Sequence, residues 1–240
     1  MINKKLVVIL SPDSFDRNTE IHFKSLFKEV EYVWPPRFQI SGEENPQITK
    51  DCILLFEGGT DISSELYGEA RGHWTQEPDV ARDVWEQKYF NMAKACGAGM
   101  IGVCRGAQLL CALNGGHIIQ HVKGHNCGRH VMIAKAGPTA EEMAIYTTSV
   151  HHQMMNPYVL PKEDWASLAW MKTPLSNKYR GQEDKKIKIS NLYKDWREQE
   201  IVWFPKTHCL CIQGHPEYYA NDTSMFVYFC RLLILLYLSA

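Results

Sequence analysis

The sequence has no surplus of either charge: 26 Lys and Arg stand against 27 Asp and Glu, for a formal net charge of -1. Electrostatic attachment to nucleic acid or to an anionic membrane is therefore not expected. Long hydrophobic runs are also lacking. The most apolar stretch, Met225 to Leu238, is shorter than the ~20 residues a spanning helix needs, and it contains Arg231. It reads as a buried C-terminal helix. At the other end, MINKKLVVIL has only the run Leu6 to Leu10 before Ser11 and Pro12, too short for the apolar part of a signal peptide, and reads as a first strand. No internal repeat or low-complexity tract is present.

Cysteine is not scarce, but a disulfide framework is. The eight cysteines, Cys52, Cys96, Cys104, Cys111, Cys127, Cys209, Cys211 and Cys230, are scattered. Several lie in apolar runs, where a thiol acts as a small hydrophobe. With no secretion signal they are expected to be reduced, in a cytoplasmic setting. A chain of 240 residues buries roughly 70% of its unfolded surface, so it needs neither disulfides nor a structural metal to be stable.

Short apolar runs alternate with longer amphipathic stretches: Leu6 to Leu10, a helix expected around Thr19 to Val30, Cys52 to Phe56, a helix around Val80 to Cys96, then Met100 to Val103. That alternation predicts a three-layer α/β fold with a largely parallel central sheet. A further helix should run from Gly106 to about Leu113 and stop at Asn114-Gly115-Gly116. From Pro174 to Gln199 the chain becomes charged and poor in aliphatic residues. This reads as a polar insertion in a single domain spanning 1–240, a solvated excursion on the rim with a lid or partner surface as the alternative. Asp79, Arg82, Asp83 and Glu86, at helical spacing, read as an exposed face with ion pairs.

The chemistry concentrates in MIGVCRGAQLL, where an apolar run ends in Gly102-X-Cys104-X-Gly106 and a helical pattern starts at once. This is the thiol form of a nucleophile elbow. The glycines are needed because Cβ atoms there would collide with the adjoining backbone, and a thiol at a helix N-terminus is favoured as thiolate by the helix dipole. In CLCIQGHPEYY a second apolar strand ends before His215, a candidate general base, and Glu217 stands two residues on to orient the imidazole. A competing set, His117, His121, His125, Cys127 and His130, has partly helical spacing, but Gly115, Gly116 and Gly124 argue against a long helix. No metal site is expected from it.

GVCRGAQLL, GHPE and the glycine pair in FEGGTD together resemble the class I, triad-type glutamine amidotransferases. More narrowly, FEGGTDISSELYG, DVARDVWE, GVCRGAQLLCALNGGHIIQHV and SVHHQ are similar to the branch containing gamma-glutamyl-gamma-aminobutyrate hydrolases and folate gamma-glutamyl hydrolases. The similarity covers roughly residues 5 to 170 and 200 to 235. It implies a flavodoxin-like α/β/α fold, Cys104 as nucleophile, His215 as general base and acid, and Glu217 as the orienting carboxylate. It further implies the N–H groups of Gly59 and Arg105 as oxyanion hole, and Gln108, Ser149, His151, His152 and Gln153 around the substrate. Glu57 and Ser64 stand where the family commonly has Pro, which alters the pocket wall. The implied reaction is hydrolysis of a gamma-glutamyl amide through a glutamyl thioester, releasing glutamate and an amine, with no cofactor. Two alternatives stay open: a glutaminase subunit supplying ammonia to a separate synthetase partner, and a catalytically inactive binding or scaffold member.

Overall fold

Along β1 (Ile2–Ile9) successive side chains alternate between the two faces of the strand. Val7 and Ile9 are buried on one side, Leu6 and Val8 on the other, so this strand is covered twice and belongs inside a sheet. The computed structural model describes residues 2–10, 25–35, 45–135, 141–189, 195–218 and 223–238. Further strands are β2 (Phe27–Val33), β3 (Cys52–Phe56), β4 (Gly99–Val103), β5 (His117–Ile119), β6 (His121–Val122), β7 (Asn126–Ala134), β8 (Met143–Val150), β9 (Met154–Asn156), β10 (Ala166–Met171), β11 (Tyr179–Arg180), β12 (Gln199–Phe204) and β13 (Cys209–Ile212). The α-helices are α1 (Val80–Cys96), α2 (Arg105–Leu113) and α3 (Thr223–Leu233).

The main sheet has nine strands in the order β2-β1-β3-β4-β13-β12-β10-β7-β8. From β2 to β13 every pairing is parallel; from β13 to β8 every pairing is antiparallel. The expected parallel sheet is thus the half that carries β4 and β13, and an antiparallel extension completes it. Trp85, Tyr89 and Phe90 of α1 and Leu109 and Leu110 of α2 pack on the face of Val7, Leu54 and Met100. Tyr228, Phe229 and Leu232 of α3 pack on the opposite face against Leu6, Ile53 and Ile101. The three layers are therefore present, with Arg231 of α3 left on the solvent side. Among the described residues, no helix is long and apolar enough to cross a membrane.

One expected helix is corrected. Phe27–Val33, the last part of the stretch Thr19 to Val30 and beyond, is the parallel edge strand β2; residues 19–24 lie outside the described residues. Val30, Tyr32 and Val33 favour a strand. Lys5 of β1 pairs with Glu31 at 2.6 Å and Glu29 at 3.0 Å, charges that suit an exposed edge. The other boundaries follow local signals. Asp79 caps α1 by accepting from the Arg82 N–H at 3.0 Å. Helix α2 stops at Asn114, whose side chain donates to the Leu110 carbonyl at 2.8 Å.

Residues 174–189 and 195–199 do not form a bare solvated excursion. β11 pairs with β6, and Tyr179 and Ile189 join Ile119, Val122 and Met154 in a small core of their own, with Trp196 packed against it.

Candidate active site

β4 ends and α2 begins around a single residue, Cys104, held at φ 52° and ψ -109°. A non-glycine residue with positive φ costs about 1–3 kcal/mol and persists only where the surroundings impose it. Here they do: the Cys104 N–H donates to the Ile212 carbonyl on β13 at 2.8 Å. A Cβ at Gly102 would run into the Gly106 backbone, and one at Gly106 into the Phe56 carbonyl. Both glycines of the elbow are thus required by packing between β3, β4 and α2.

β13 delivers His215 to the same place. The His215 Nδ1–H donates to Glu217 Oε1 at 2.7 Å, the imidazole is hydrogen-bonded with Cys104, and its ring stacks on Tyr218 with centroids 4.3 Å apart. The His215 backbone N–H is held by the Thr148 hydroxyl at the end of β8. Burial alone pushes the imidazole down, yet the hydrogen bonds and charges of Cys104 and Glu217 outweigh it and raise the His215 pKa to about 10. The proton therefore rests on His215 at neutral pH.

This has a measurable consequence. Because the pKa is raised, the imidazolium is complete at neutral pH and is lost as pH climbs through about 10. Any turnover in which His215 protonates a leaving group should fall on this alkaline limb. In Glu217→Gln one stabilising charge is gone, so the limb should move to lower pH. A pH–rate profile with an unmoved alkaline limb would refute the role of Glu217.

Gly58 lies over this pair. A methyl added there would sit 3.1 Å from His215 Cε1 and 3.7 Å from Cys104 Cβ. Gly58→Ala should lower kcat/KM by roughly 10- to 100-fold by displacing the imidazole, with a melting temperature near that of the wild type. Unchanged steady-state kinetics would rule out the close approach.

Of the four residues expected on an exposed helix face with ion pairs, Asp79 is the half-buried cap and the other three form ion pairs in a buried network. Arg82, Asp83 and Glu86 are 3%, 2% and 0% exposed. Arg82 Nε donates to Glu86 at 2.9 Å, and its Nη2 donates to the carbonyls of Glu57 (3.1 Å) and Gly58 (2.9 Å). The Arg105 guanidinium is paired with both Asp83 and Glu86, and Asp83 also accepts from the Ser63 N–H at 2.8 Å. Two guanidinium groups against two carboxylates leave the buried set neutral, which permits its burial. The network ties α1 to the glycine-pair loop and to the first residue of α2. Gly59, at φ 142°, lies against the Arg82 guanidinium and Arg105.

The other candidates are distributed unevenly. Gln108 Nε2 donates to the Gln153 carbonyl at 3.2 Å, and Gln153 Nε2 to Thr75 Oγ1 at 3.3 Å, so these two share a buried wall beside the elbow. Ser149 is fully buried and donates to the His125 carbonyl at 2.8 Å. His151 is buried against His125. His152 is partly exposed and pairs with Asp61 at 3.2 Å. Burial and the neighbouring His125 hold His151 well below the usual imidazole range. Thr148 and Tyr218, which hold His215, carry no signal in the sequence that would single them out. Of the histidine set expected to lack a metal role, His117 pairs with Glu69 at 2.9 Å, His121 stacks on Trp74, and Cys127 is exposed. Only His125 and His130 come together.

Residues 45–161, which include Cys104, match the Peptidase C26 family. The chain is similar to proteins named as glutamine amidotransferases. Its relatives include a Mycobacterium tuberculosis protein named as a glutamine amidotransferase, 33% identical over 84 residues, which are 32% of this chain and 27% of that protein. A glutamine amidotransferase-like protein of Lactococcus lactis is 30% identical over 101 residues, 42% of this chain and 41% of the relative. The chain thus spans less than half the length of these two relatives. Among solved structures, a Thermoplasma acidophilum protein described as one of the subunits of GMP synthase aligns with TM-score 0.59 and 14% identity, covering 98% of this chain and 94% of that one. A Thermotoga maritima glutamine amidotransferase aligns with TM-score 0.55 and 10% identity over 97% and 93% of the two chains. At such identities the structures establish the shared fold.

Proposed function

We propose that the protein hydrolyses a gamma-glutamyl amide by covalent catalysis at Cys104. The observation that carries this reading is Cys104, held at positive φ, hydrogen-bonded to an imidazole that Glu217 orients at 2.7 Å. The Cys104 thiolate attacks the gamma-carbonyl carbon, and the N–H groups of Gly59 and Arg105 receive the oxyanion. As the tetrahedral species collapses, the C–N bond breaks and His215 gives its proton to the departing amine. A glutamyl thioester remains. Neutral His215 then takes a proton from water, the hydroxide attacks the thioester, and the thiolate departs as glutamate is released. His215 is again the imidazolium, so the cycle consumes one amide and one water. Gln108 and Gln153, which meet at the elbow, are the groups assigned to the glutamyl head. Ser149, His151 and His152 shape the wall behind and beside them.

The narrower resemblance to gamma-glutamyl hydrolases favours a free-standing enzyme. The test is glutamate release by purified protein from glutamine and from a panel of gamma-glutamyl amines. Release from a gamma-glutamyl amine by this protein alone is expected. The second reading, a glutaminase subunit feeding a synthetase, is favoured by the fold match to a component of GMP synthase. Glutamine turnover that stays silent until another protein is added would select it.

A further inference from the structure

We infer that His125, His151 and Glu200 form a binding site for one divalent transition cation, with zinc the metal that best suits the donors. His125 immediately precedes β7, His151 immediately follows β8, and Glu200 lies in β12. These residues are 0%, 5% and 0% exposed, and their ligand atoms all lie within 4.8 Å of one another.

Among the described residues, His151 Nε2 and Glu200 Oε2 are left without a hydrogen bond, as are both ring nitrogens of His125. One polar atom of each residue is directed to a neighbour. The His151 Nδ1–H donates to the Gln153 carbonyl at 2.8 Å. Glu200 Oε1 lies 2.9 Å from His130 Nε2, and His125 Nε2 lies 3.1 Å from Glu198 Oε2. Metal-binding imidazoles are oriented in this way, one nitrogen toward the ion and the other toward a carbonyl or carboxylate. Buried atoms that can accept are costly when left unpaired, and a single cation satisfies one on each of the three residues.

The donor set selects the ion. Two imidazoles and one carboxylate suit zinc with an open fourth position, or iron(II), and disfavour calcium and magnesium, which take oxygen ligands. A divalent cation facing Glu200, with Glu198 behind His125, also balances the two buried carboxylates. Glu198 is itself fixed by the N–H groups of Leu175 (2.7 Å) and Ser176 (2.9 Å) and by the Tyr179 hydroxyl (2.8 Å), so these three residues brace the site.

The site adjoins the catalytic centre without containing it. The Gln153 carbonyl that accepts from His151 also accepts from Gln108, and Thr148, which holds the His215 backbone, is three residues before His151. Zinc bonds of about 2.0–2.1 Å put tetrahedral donors about 3.4 Å apart. Loading therefore draws together those of the three donors that stand further apart than this, beside the wall that holds Gln153. A structural or regulatory ion follows, outside the thiol chemistry itself.

The experiment measures metal directly and does not depend on any substrate. Full-length protein is stripped with chelator, exposed to zinc, desalted and analysed by mass spectrometry of the metal. About one equivalent per chain should be retained. Glu200→Gln, which keeps shape and removes the anionic donor, should bind at least roughly 100-fold more weakly while keeping the wild-type circular dichroism. Cys104→Ala and His117→Ala should retain the full equivalent. If Glu200→Gln does not fold, the cobalt(II)-loaded wild type decides: ligand-field bands without a thiolate charge-transfer band support the site. No retention by the wild type, unchanged binding in Glu200→Gln, loss of metal in Cys104→Ala, or a thiolate–cobalt band would each overturn the proposal.

Discussion

Cys104→Ala is expected to release glutamate from the best gamma-glutamyl substrate at least about 10⁴-fold more slowly than the wild type, because the nucleophile of a triad acts as one unit with its base. What remains is water attack assisted by the oxyanion donors. The variant should fold: alanine tolerates the positive φ of the elbow about as well as cysteine, and the Ile212 carbonyl still receives the same backbone N–H. An electrophilic glutamine analogue should label the wild type at Cys104 and leave the alanine variant unlabelled. More than a trace of turnover by Cys104→Ala in a clean preparation would end the thioester mechanism. Absence of labelling in the wild type, beside a labelled active relative, would favour the inactive binding protein.

Glu86→Ala carries the largest expected loss of stability, about 3–5 kcal/mol. Glu86 is wholly buried and pairs with both Arg82 and Arg105. Its removal takes from both buried guanidinium groups a carboxylate that pairs with them, a loss of negative charge that no water makes up. For a chain of this size that corresponds to a fall in Tm of roughly 6–20 °C. The proposed activity should fall too, since Arg82 holds the carbonyls of Glu57 and Gly58 beside Cys104 and His215. Val84, on the same helix and 62% exposed, provides the contrast: Val84→Ala should stay within about 0.5 kcal/mol of wild type. A Glu86→Ala protein that melts within about 2 °C of wild type would show that the network carries little of the fold's stability.

Helix α1 was legible in its length and hidden in its orientation. Its span, its Asp79 cap and the following Gly97 are local matters. Which side of it faces the protein is not, and Arg82, Asp83 and Glu86 have the spacing of an ordinary solvated ion-pair face. Only the arrival of Arg105 from α2 supplies the second guanidinium that makes burial neutral. The same division holds for β2. Its alternating charges permit a helix or an edge strand, and pairing with β1 chooses the strand.

The sequence by itself determined the elbow, because a nucleophile between β4 and α2 needs small residues at Gly102 and Gly106, and a local steric demand leaves a local trace. It also determined the parallel strands around that elbow and the His215–Glu217 pair, whose two members are bound by a two-residue spacing. Tertiary structure alone decided the neutral network beneath the glycine pair, the antiparallel half of the sheet, and the meeting of His125, His151 and Glu200. Those residues come from distant segments, and their energies depend on burial and on charges arriving from other elements. Burial is a property of the folded chain, and no local spacing encodes it.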